Sequence, residues 1–173
     1  MLTPRLVIPF LLAAGLVCAQ NSPGWATGWS GEFRATADEV QSLADKIPAD
    51  KYSWRPAEGV RSISEVYVHI ALAHLFFLQN CGVKVDMSKV TRDAEKKIVA
   101  KDDVVKFLKD SIAAVEENYP KLDLSKKVKF QGVDTTVEGV MIHLLAHTSE
   151  HLGQSIAYAR MNGIVPPWSE PSK

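Results

Sequence analysis

The sequence predicts an all-α protein, a four-helix bundle behind an N-terminal leader. Three observations carry this. Apolar residues recur at three- and four-residue intervals in four separate segments, Gly or Pro closes each of them, and only one short stretch alternates as a strand would. Four amphipathic helices in one chain of 173 residues bury their stripes most simply against one another.

The leader comes first. In "MLTPRLVIPFLLAAGLVCAQ" a lone Arg5 precedes an apolar run that ends in Val17-Cys18-Ala19. This is the charged, apolar and small-residue order of a secretory signal peptide. The run is shorter than the ~20 apolar residues that span a bilayer. Cleavage after Ala19 is expected, giving an exported protein, periplasmic or extracellular, with no membrane span in its mature form. Cys18 would suit a lipoprotein, but the bulky Val17 stands where such signals want a small residue; an uncleaved anchor is the other reading. Residues 20–30 read as a flexible lead-in, 31–168 as the bundle and 169–173 as a tail. Cys81 is the only cysteine left after cleavage, so no disulfide can form within the mature chain and the core must hold the fold. At the end of an apolar segment, Cys81 is expected to pack as a small hydrophobe.

The first helix is expected from Gly31 to Lys46, its stripe being Phe33, Ala37, Val40, Ala44 and Ile47, with Pro48 closing it. Trp54 and Pro56 are expected to anchor the loop that follows. The second helix opens with "SISE", a capping box in which Ser62 and Glu65 exchange side-chain and backbone bonds. It runs through "VYVHIALAHLFFLQNC" to Gly82 and is apolar nearly all round, as a helix buried on several sides must be. Residues 83–100 are polar and read as a long loop with a helical turn at most. The third helix extends from near Asp102 to Pro120 on a stripe of Val104, Phe107, Leu108, Ile112 and Val115. "SKKVKFQGVD" alternates about Val128 and Phe130 and predicts a short strand or hairpin. The fourth helix is expected to start on a capping box of Thr135 with Glu138 and to stop at Asn162-Gly163.

Composition narrows the function. With 46% hydrophobic residues, 23% charged residues and a formal net charge of zero, nothing marks a polyanionic partner; the lysines are scattered and nucleic-acid binding is not expected. The chemistry concentrates instead in "HLLAHTSEHLGQ", which holds three of the five histidines. On a helix His147 and His151 lie about 40° apart at the edge of the buried face, and two imidazoles one turn apart can converge on one ion. His143 turns about 40° further toward solvent. The plainer reading is a polar stripe, since a pair at this spacing is often incidental. His69 strengthens the metal reading: it sits in the middle of an apolar helix, where an imidazole needs partners for its nitrogens. His74 lies about 140° around that helix from His69, so the two cannot face one centre. Glu65, Glu150 and Tyr158 are the polar candidates nearest such a site; the capping box claims Glu65, and Glu150 faces solvent.

The segments "KYSWRPAEGVRSISEVYVHIALAH" and "HLLAHTSEHLGQSIAYARMNGIVPP" resemble the DinB-like superfamily of helical bundles, and the likeness extends over essentially all of the mature chain. The second segment carries the family's H-x3-H followed by Gly-Gln, a helix ending in Arg then Gly, and a Pro-Pro exit. The resemblance implies a divalent metal held by three histidines, here His69, His147 and His151. Zinc is the first candidate, and nickel, manganese or iron would also accept imidazole. Leu152 stands where many members have a basic residue, which argues against an anion-binding role at that point. The resemblance also implies a small-molecule substrate and a metal-dependent transferase using a thiol. Export sets the protein apart from cytoplasmic thiol pools and keeps a hydrolase open, as it does a binding module without turnover. A purely structural bundle, with His69 hydrogen-bonded in the core, is the third alternative. A homodimer is compatible with all of them.

Overall fold

The computed structural model describes residues 23–170 except Lys89 and Arg92; the expected leader lies outside the described residues. Five helices and one hairpin follow in order: α1 (Trp29–Lys46), α2 (Ile63–Asn80), the short α3 (Ala94–Lys97), α4 (Lys101–Asn118), β1 (Lys127–Phe130), β2 (Val133–Thr136) and α5 (Val137–Met161). The four long helices close a ring in which α1 packs on α4 and α5, and α2 packs on the same two. The expected stripes fill the middle: Phe33, Ala37, Val40, Ala44 and Ile47 meet Val104, Phe107, Leu108, Ile112 and Val115, all buried.

Helix α1 begins at Trp29, ahead of the expected Gly31, because Trp29 packs half-buried against the core rather than lying in a loop. Its indole N–H donates to the Met141 carbonyl at 2.9 Å. Its ring stacks on Tyr119 and Phe33, with centroids 4.0 and 5.1 Å away. Upstream, in the stretch read as flexible, Gly24–Thr27 form a 3-10 turn. The loop after α1 is anchored differently from the expectation. Pro56 is exposed, whereas the buried Tyr52 hydroxyl donates to the Ala44 carbonyl at 2.7 Å. Trp54 does anchor, meeting Tyr158 edge-on.

The capping box of α2 is formed as predicted. Glu65 N–H donates to Ser62 Oγ at 3.3 Å, and Ser62 N–H donates to the Glu65 carboxylate at 2.7 Å. At the far end Cys81 is buried, 3.8 Å from the Met141 sulfur, and burial pushes its thiol up to about 11. The predicted turn in the long connector is α3. The hairpin closes through Gln131 and Gly132, both at positive φ (50° and 83°), as a tight two-residue turn between right-twisted strands requires. Its register pairs Lys127 with Thr136 and Phe130 with Val133.

That pairing corrects the cap of α5. Thr136, not Thr135, is the N-cap, and its hydroxyl accepts from Gly139 N–H at 3.2 Å. The strand holds the chain extended through Thr136, so the helix cannot begin earlier. Glu138 does not complete a box. A Cβ at Gly139 would lie 2.5 Å from the Thr135 hydroxyl, which would have to turn aside for a larger residue. Among the described residues no helix is long and apolar enough to cross a membrane.

Candidate metal centre

His69 comes from the middle of α2, and His147 and His151 come from adjacent turns of α5, which packs against it. Their Nε2 atoms converge: His69 lies 3.1 Å from His147, and His151 lies 3.2 Å from His147. One nitrogen from each ring falls within 4.8 Å of the others. His69 and His147 are half-buried and His151 is buried, so the cluster sits at the edge of the core with a side toward solvent.

The outer nitrogens decide the protonation state. His69 Nδ1 lies 2.9 Å from a Glu95 oxygen. An ionised carboxylate only accepts, so the ring proton must sit on Nδ1. His151 Nδ1 lies 2.8 Å from Gln154 Oε1. The Gln154 amide is oriented by donating to the Tyr158 hydroxyl at 2.9 Å, so His151 likewise donates from Nδ1. Two bare Nε2 lone pairs therefore point at His147. A neutral His147 can donate from Nε2 to only one of them.

Protonating the cluster does not solve this. Burial, then the neighbouring His151 and His69 imidazoles, push His147 down to about 4. Burial also lowers His69, against the raising pull of Glu95. A cation among the three nitrogens satisfies every lone pair. The two separations from His147 fit too, since imidazole nitrogens ~2.0–2.1 Å from one ion lie ~3.0–3.4 Å apart, and all three nitrogens lie within 4.8 Å of one another. The three residues thus suit a divalent metal in both donor chemistry and spacing.

Around the rings lie the residues that orient them. Glu95 is held by Arg61, whose Nε and a terminal nitrogen donate at 2.7 and 3.3 Å. Burial opposes the Glu95 charge, but the Arg61 and His69 bonds outweigh it and keep the carboxyl below its usual range. A cleft of about 670 Å³ opens beside this pair, lined by Arg55, Arg61, Glu65, Glu95, Lys96 and Gln154 among others. On the other side Phe77 meets His147 edge-on at 5.8 Å, and His143 at 5.4 Å.

The remaining histidines are where the helix wheel puts them. His143 is exposed at the rim. His74 is fully buried away from the cluster, its nitrogens 3.0 Å from the Ser111 and Thr148 hydroxyls. Glu65 is engaged in its capping box and by Arg55 at 3.1 Å, and Glu150 is exposed. Tyr158 meets the cluster through Gln154, whose amide donates to its hydroxyl. Sequence reasoning missed Glu95 and the orienting role of Gln154. The signal for Gln154 was its offset from His151, which places both on one helix face; Glu95 had no comparable signal.

Comparison with known proteins agrees with the helical fold. The model of the DinB superfamily matches residues 32–155. A DinB-like protein of Bacillus cereus superposes with a TM-score of 0.68 at 19% identity, over 79% of this chain and 94% of that one. A DinB-like protein of Bacillus subtilis gives 0.61 at 19% identity, over 83% of this chain and 95% of that one. At such identity the likeness shows the fold. No curated protein matches the chain.

Proposed function

The chain belongs to the DinB superfamily, and from that premise we propose that His69, His147 and His151 bind one divalent ion, zinc first, in a centre serving a thiol-using transferase or a hydrolase. The observation that carries this is the convergence of three Nε2 atoms, two of them fixed as lone-pair donors by Glu95 and Gln154. Bound there, a divalent cation supplies Lewis acidity, which makes a thiol or a water nucleophilic at neutral pH. Glu95 and Gln154 hold the His69 and His151 rings each in one tautomer, and the packing of α2 on α5 excludes water from the buried side of the cluster.

The neighbouring carboxylates favour the thiol arm. Glu65 and Glu95 are both engaged by arginine and by a second donor. A thiol ionised at the cation needs no carboxylate base, whereas hydrolysis gains from one. The same engagement supports a second reading, a metal-binding module without turnover. Metal analysis of the purified protein tests the centre. Each of His69→Ala, His147→Ala and His151→Ala should cut bound metal to a small fraction of one equivalent while the helical circular dichroism survives. Full metal content in any of the three would remove that residue from the centre. A screen of the zinc-loaded protein with small thiols and electrophiles, and with esters and amides, then separates transferase, hydrolase and binding module.

Export is proposed on the leader sequence alone. N-terminal sequencing from the native host should begin at Gln20; an intact Met1 in the membrane fraction would count against it.

A further inference from the structure

We infer that Glu95 is a positioning residue through which metal loading and docking of the α2–α4 connector become one coupled event; this rests on the metal-centre reading above. Among its described residues the connector between Cys81 and Lys101 has one helical turn, α3, with no side-chain N-cap bond. Four residues of helix do not sustain themselves in water. The turn is fixed by what it touches: Ala94 is buried, Ile98 packs on the core, and the Glu95 carboxylate reaches α2.

That carboxylate is shared. One oxygen takes the His69 Nδ1–H at 2.9 Å and an Arg61 N–H at 3.3 Å, and the other takes Arg61 Nε–H at 2.7 Å. Arg61 precedes the N-cap of α2, so one end of the bridge stands on a fixed helix start. The other end stands on the connector. The His69 ring is therefore oriented between a turn that cannot hold itself and the nitrogen that faces the ion.

The three rings are unequal in this respect. His151 is oriented by Gln154 of its own helix, and the buried His147 Nδ1 has no hydrogen-bond partner. Only His69, among these, ties the centre to a different segment. A cation on Nε2 withdraws electron density from the ring and strengthens its Nδ1–H bond to the carboxylate. Reciprocity then requires that a docked connector raise metal affinity by the same factor.

The test uses the full chain stripped with a chelator and titrated with Zn(II), or with Co(II) as a spectroscopic probe. Amide exchange is followed at Lys97 and Ile98, whose N–H groups bond to Asp93 and Ala94 carbonyls inside the turn. In the wild type, saturating Zn(II) should slow exchange there about tenfold, matching the roughly 10–100-fold loss of affinity expected for Glu95→Gln. Glu95→Gln should abolish the metal response and shift the Co(II) absorption bands, with helical dichroism unchanged. Gln154→Ala should weaken binding yet leave Lys97 and Ile98 responsive to metal. The inference is overturned if wild-type exchange at these amides ignores bound metal, or if Glu95→Gln binds Zn(II) as tightly as the wild type. A wild type that takes up no metal overturns the metal-centre reading instead, and this inference with it.

Discussion

His69 and His74 share one helix, and what meets each ring sets its chemistry. His74 sits between two hydroxyls that already bond to helix carbonyls, Ser111 to Leu108 and Thr148 to Leu144. Neutral His74 donates from one nitrogen, and one hydroxyl must turn its proton to the other. Burial, then the His147 imidazole, push His74 down to about 3. Unfolded, the same ring titrates near 6.5. The unfolded chain therefore binds more protons throughout that window, and stability falls as pH drops from about 6.5 toward 3. Urea denaturation at pH 7.5, 6, 5 and 4 should show this slope. His74→Gln should lower stability at pH 7.5 but flatten the slope by up to about 1.4 kcal/mol per pH unit. An unchanged slope would place the acid sensitivity elsewhere. The residue-scale reading of the sequence succeeded where angle alone was decisive: 140° excludes His74 from the cluster, and 40° joins His151 to His147. It could not identify Glu95, because a carboxylate in a polar connector shows no periodicity.

At the scale of elements, helix starts depend on what precedes them. Ser62 follows an irregular loop, and its capping box could be read directly from "SISE". Thr136 follows a strand, and two adjacent threonines gave the sequence no means of choosing the cap before the hairpin register was known. Thr136→Ala should cost about 1 kcal/mol, as loss of an N-cap does. Thr135→Ala, which removes no cap bond, should cost distinctly less. Denaturant midpoints of the two variants decide between the registers, and the reverse order would restore the cap at Thr135. The start of α1 was missed for a related reason. Trp29 belongs to the helix because Met141 and Tyr119 receive it, and neither contact is local in sequence.

At the scale of the whole molecule, the apolar stripes made the ring of four helices legible, while the site needed the packing of α2 on α5. A ligand that binds only the folded chain stabilises it by about 2.7 kcal/mol at a hundred times its dissociation constant. For a domain of this size that raises Tm by roughly 5–10 °C. Calorimetry with increasing Zn(II) should show the rise, and His147→Ala should remove it. A Tm indifferent to Zn(II) in the wild type would mean that the folded chain gains nothing from the ion. The topology carries this further. His69 and His147 are separated by 78 positions, a span that contains α3, α4 and the hairpin. A chain that parted α2 from α5 with the ion still attached would drag that span as a closed loop, an entropic handicap of roughly 4–5 kcal/mol on the opened state. If the proposed ion is bound, opening is expected to wait for it to depart, so a chelator should shorten the lifetime of the zinc-loaded protein in unfolding kinetics. A chelator would then play the part that a reductant plays for a cystine-stapled fold, in a protein whose described residues hold one thiol, Cys81, and that one buried.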